Sequence, residues 1–117
     1  MLSSEEVLRK LTIGDPTYCR ALVSGDMDEL AHRPDGRSVA LLRLGALITS
    51  GGAQPTWQQC VWQARSAGLD PDDIVAALVA LAPTLGPDRV VAAAPHLAQA
   101  LGFDVDAALF AWQDEET

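Results

Sequence analysis

TWQQCVWQARSAGLDPDDIVAALVALAPTLG, residues Thr56–Gly86, holds two helical patterns separated by a clean stop. Trp57, Cys60, Val61 and Ala64 fall at i, i+3, i+4 and i+7, the spacing of one helix face. Gly68 can take the left-handed conformation that ends a helix, and Asp70-Pro71 supplies an N-cap and a first-turn proline for the next one. Ile74, Val75, Leu78, Val79 and Ala82 repeat the apolar stripe, while Asp72 and Asp73 sit at the positive end of the helix dipole. The stretch predicts a helical hairpin with its apolar faces turned inward.

The flanking sequence extends the pattern without a strand. Ser3 and Glu6 have capping-box spacing ahead of Val7, Leu8 and Leu11, and Gly14 closes that helix. Asp15-Pro16 opens a second short helix with Tyr18, Cys19, Leu22 and Val23 on one side, and Gly25 ends it. Arg33-Pro34 and Asp35-Gly36 mark a loop, with one helical turn expected around Met27 to Leu30. From Arg37 to Thr49 the chain is apolar nearly all round, broken chiefly by Arg43. Such a helix needs burial on more than one side, which in a small chain points to a second subunit. Gly86-Pro87-Asp88 starts another helix with Val90, Val91, Ala94, Leu97, Ala98 and Leu101 inward. Pro83 and Pro95 are expected to kink or divide their helices. Gly102-Phe103 reads as a Schellman ending, and Asp104 caps a last helix with Val105, Ala108, Leu109 and Trp112 before an acidic tail. The reading is an all-α bundle of about six or seven helices around the central hairpin. It forms a single domain: an N-terminal arm over 1–36, a core over 37–103, and a C-terminal helix and tail over 104–117.

Composition excludes several classes of function. Sixteen acids against eight bases give a net charge of −8 over 117 residues, the wrong sign for a nucleic-acid partner. No basic amphipathic helix, signal peptide or membrane-spanning run is visible, so a soluble cytoplasmic protein is expected. Cys19 and Cys60 match no metal or CxxC spacing and read as free thiols; no cofactor or metal is expected.

RSVALLRLGALI at Arg37–Ile48, the AxxxG of Ala64–Gly68, LDPDDIVAALVALAPTLGPDRVVAAAP from Leu69 and LGFDVDAAL from Leu101 resemble the carboxymuconolactone decarboxylase family, which includes the AhpD-type alkylhydroperoxidases. The likeness covers about 70 residues, and its last two blocks are most similar to a branch common in high-GC actinobacteria. It implies an AhpD-like helical bundle assembled as trimers or hexamers, with sites between helices near subunit contacts; for this chain a dimer is also an expected form of self-association. The peroxidase members' CxxCxxxH would fall on Ala53, Thr56 and Cys60, so both cysteines and the histidine are missing; decarboxylase members keep that histidine, where this chain has Cys60. Between Gly36 and Leu69 there is also no Asp, Glu or His to relay a proton.

Three functions follow as expectations. The first is a degenerate family member without peroxidase activity, a helical oligomer that binds a small, carboxylated molecule or associates with itself. The second is a non-redox lyase or isomerase acting on a lactone or cyclic acid, with Cys60 or His96 moving a proton and Arg43, Trp57 and Thr56 as substrate-binding candidates. The third is a thiol peroxidase, which requires Cys19 and Cys60 as a pair. Each residue also has a plainer reading. Cys60 reads as a small buried hydrophobe, His96 as a hydrogen-bonded structural residue, Arg43 as half of an intersubunit salt bridge, and the tryptophans as packing residues. Of these Trp62, off the stripe, is the one expected to be exposed.

Overall fold

A computed structural model describes residues 2–25 and 33–104. Among them are six α-helices and no strand: α1 (Ser4–Thr12), α2 (Pro16–Val23), α3 (Gly36–Ser50), α4 (Gln54–Ser66), α5 (Pro71–Leu85) and α6 (Pro87–Leu101). The protein is all-α. Its contacts divide it into two units, Met1–Asp35 and Gly36–Thr117. The helical turn expected around Met27 to Leu30 and the final helix with Trp112 lie outside the described residues.

The first unit holds α1 and α2. Ser3 Oγ accepts the Glu6 N–H while the Glu6 carboxylate accepts from the Ser3 N–H, so the capping box forms in full. Asp15 caps α2 by accepting the Tyr18 N–H at 3.0 Å. Neither helix buries a residue, and Leu8, Leu11 and Ile13 remain exposed.

Among the described residues the second unit is a four-helix core. Leu44 and Ile48 from α3, Trp57, Val61 and Ala64 from α4, Ile74 and Leu78 from α5, and Ala93 and Leu97 from α6 make one apolar cluster. Leu69 enters it from the α4–α5 turn, where the Leu69 and Gly68 N–H groups bond back to the Ala64 and Arg65 carbonyls. That double bond pattern is a Schellman motif, and Gly68 takes it up at φ +93°, in the left-handed region. Gly102 and Phe103 end α6 in the same way on Gln99 and Ala98.

The α4–α5 hairpin differs from the expected one in its packing. Its two helices meet each other sparsely, and each spends its apolar face on α3 and α6. Val75 and Val79, expected inward, are 39% and 65% exposed, as is Val91 at 69%. Ile74 and Leu78 are buried as expected, and Ala77 and Leu81 join them on the inward side of α5. Neither Pro83 nor Pro95 divides its helix. Trp62 is 68% exposed, as its place off the stripe predicts.

The hairpin turn is held by groups that local sequence supplies. Asp70 accepts the Asp73 N–H at 2.8 Å and donates its own N–H to Asp73 at 2.9 Å. Arg37 reaches across from the first turn of α3, donating to the Gly68 carbonyl at 2.6 Å and pairing with Asp73 at 3.4 Å. The bond from the Asp70 N–H, aided by the Arg37 charge, holds the Asp73 carboxyl below its usual range. A depressed folded value adds stability above the unfolded carboxyl's titration, lost as pH falls through the folded one. Asp70→Ala removes the cap, and about 1 kcal/mol of stability should go with it in urea titration. An unchanged midpoint would show that Arg37 alone secures the turn.

Candidate functional site

Among the described residues of the second unit, two places that bring polar side chains to the apolar core hold the candidates. The first surrounds Cys60, half-buried in the second turn of α4. Burial pushes its thiol pKa above the ordinary value, and the Arg43 guanidinium from α3 pulls the other way. No hydrogen bond reaches the sulfur from the described residues. Arg43 itself is exposed and has no acid partner among them. Thr56, also exposed, lies one turn earlier on α4. Cys19 is a free thiol on α2, in the first unit.

A raised thiol pKa means less thiolate, the form that attacks electrophiles. Alkylation of Cys60 by iodoacetamide should therefore be slow at neutral pH and rise only at more alkaline pH than for a free cysteine. Arg43→Gln removes the one influence favouring thiolate and should slow the reaction further. Mass spectrometry of the Cys60 peptide after timed quenching measures both rates; faster labelling in the variant would contradict this electrostatic assignment.

The second place is a cleft of about 150 Å³ between the α3–α4 junction and α6, lined by Ile48, Gly51, Gly52, Trp57, Arg89, Ala92, Ala93 and His96. Trp57 is 1% exposed and donates its indole N–H to the Gly52 carbonyl at 3.1 Å. The His96 imidazole stacks on that indole, with centroids 5.6 Å apart and planes within 5°. Gln54, on the first turn of α4, donates through Nε2 to the His96 carbonyl at 3.0 Å. This turns its Oε1 toward His96 Nδ1, 2.6 Å away. An amide oxygen in that position requires Nδ1 to carry the proton. Nε2 is then the nitrogen left to accept when the ring is neutral and to donate when it is charged, and it has no partner among the described residues. Arg89, exposed in the first turn of α6, has no acidic partner among them either.

Of the five candidates from sequence, the structure brings together Trp57 with His96, and Cys60 with Arg43. No hydrogen bond joins His96 to Cys60. The reading from sequence did not include Gln54 and Arg89. Gln54 meets His96 across 42 positions, a pairing that no local pattern announces. Arg89 follows a Pro-Asp helix start and looks like any surface cation.

No group of His, Cys, Asp and Glu suited to a metal ion occurs among the described residues, and no described helix is long and apolar enough to cross a membrane. No family model, curated protein or solved structure matches the chain.

Proposed function

We propose that this chain is a self-associating helical protein without thiol peroxidase chemistry, a degenerate relative of the carboxymuconolactone decarboxylase group. The observation that carries the self-association is the second apolar face of α3. Its first face, Leu44 and Ile48, is sealed in the core. On the other side Ser38, Leu41, Leu42, Gly45, Ala46 and Thr49 line an open groove completed by Ala77, Ala80 and Leu81 of α5. Not one of these residues is charged.

The occupant that suits this face is a second copy. Ser38, Leu42, Gly45 and Thr49 are spaced by four, three and four, the seam of a left-handed helix pair. A two-fold axis at the middle of that stripe sets Leu42 of each copy over Gly45 of the other, large against small. Two acidic chains can meet there without opposing like charges. A helix of this length runs about 22 Å, and two helices side by side span roughly 20 Å. The projected face is therefore on the order of 440 Å² per copy, about half of what a standard interface buries on each partner, so neighbouring surface must add to the contact. Arg43, one position from the seam, stands at the rim, where an acid of the second copy can reach it.

The thiol side of the proposal is supported by Cys60, whose burial disfavours thiolate, on a helix whose N-cap Ala53 and first-turn Thr56 stand where the family has its redox cysteines. The two free thiols suit a reducing, cytoplasmic setting. Light scattering at micromolar concentration tests the association. A dimer or larger is expected, and a monomer mass overturns it.

A further inference from the structure

We propose that the cleft between Arg89, His96 and Trp57 is a binding site for a short-chain monocarboxylate. The charge of the ligand follows from the polar groups. Arg89 is a permanent cation without an acidic partner among the described residues, and no acid lines the cleft. Its guanidinium lies against the backbone at Gly51, with Nη1 3.7 Å from where a Cβ would stand. Gly51 has φ +77°, so a side chain there would be strained.

His96 adds a second group of matching use. Gln54 and Trp57 fix its ring by hydrogen bond and by stacking, leaving Nε2 as its uncommitted nitrogen. With Nε2 protonated, the ring and Arg89 offer two donors to the two oxygens of one carboxylate, a charge-assisted arrangement. The size follows from the volume. About 150 Å³ corresponds to roughly five water-sized groups, close to the five non-hydrogen atoms of propionate. Ile48, Ala92 and Ala93 give an apolar wall for the alkyl end, which phosphate would leave unused. None of these residues lines the α3–α5 groove, so the site stands or falls separately from self-association.

Sodium propionate titrated into the full-length ¹⁵N-labelled protein tests the proposal, with propionamide and sodium phosphate as parallel arms. Propionate should shift the Trp57 indole N–H and the Gly51 and Gly52 amides saturably, with a dissociation constant on the order of 1 mM, as so few atoms allow. Propionamide, which has the same shape without the charge, should leave them unmoved. Arg89→Gln should weaken propionate about tenfold or more, and Arg89→Lys should recover part of the loss. Both variants change an exposed side chain, so the fold is retained. Absence of saturation by propionate, equal shifts with propionamide, or unaltered affinity in Arg89→Gln would each overturn the assignment. Saturation by phosphate alone would replace a carboxylate site with an inorganic-anion site.

Discussion

Trp57→Ala should destabilise the second unit by about 3–5 kcal/mol, the cost of deleting a fully buried large aromatic from a core that cannot collapse around the gap. Trp57 is the largest of the fully buried side chains, and the buried cluster it belongs to is otherwise built from Leu, Ile, Val and Ala. Small side chains on rigid helices have little reach with which to fill a tryptophan-sized void. The substitution also frees His96 from its stacking partner and leaves the Gly52 carbonyl without the indole donor. That carbonyl belongs to an exposed glycine and can turn to water, so cavity formation dominates the loss. Against a total stability of about 5–15 kcal/mol for a small domain, the variant should lose a large part of its margin. Urea unfolding followed by far-ultraviolet circular dichroism measures it. Trp62→Ala, at a 68% exposed position on the same helix, is the control and should stay within about 0.5 kcal/mol of the parent. Equal effects from the two tryptophans would show that the packing assigned to α4 is wrong.

The contrast between those tryptophans shows what sequence could settle. Helix ends were legible because their causes are local. Ser3 with Glu6, Asp15 with Pro16, and Gly68 followed by Asp70-Pro71 each carry their hydrogen-bonding partners within a few residues. The face of α4 was equally plain, since polar residues separate Trp57, Val61 and Ala64 from the solvent side. On α5 the pattern gave less direction. Every position from Ile74 to Ala82 is Ala, Val, Leu or Ile, so only the placement of α3 and α6 decides that Ile74 and Leu78 go in while Val79 stays out. The same limit governs the candidate site. The lack of acids and histidines around Cys60 was readable from composition, whereas the Gln54–His96 bond and the approach of Arg89 to Gly51 depend on how α4 and α6 cross. Chemistry assembled from distant helices leaves no periodic trace.

Where α3 is concerned, the absence of a preferred face is itself the signal, and it leads to the sharpest expectation about assembly. If copies pair as proposed, Leu42→Asp should leave the protein monomeric while keeping the chain folded. Leu42 is 66% exposed in the isolated chain and faces away from Leu44 and Ile48, so the substitution leaves the core intact and folding stability should change by no more than about 0.5 kcal/mol. In a two-fold pair the same residue is buried twice. Each copy would then carry an unpaired carboxylate into an uncharged seam, at a cost of several kcal/mol, or about a hundredfold or more in dissociation constant. Gly45→Ala makes an independent check because its two effects have opposite signs. Alanine in mid-helix should raise monomer stability by about 0.5–1 kcal/mol, and its Cβ meets only Leu81 Cδ1 at an ordinary 3.6 Å. In the proposed pair the added methyl group would fill the hollow that takes the partner's Leu42, so association should weaken while the melting temperature of the dilute protein rises. Sedimentation velocity across a concentration series, paired with thermal melts, separates the two effects. If Leu42→Asp sediments as the parent does, the α3–α5 face is not where copies of this chain meet.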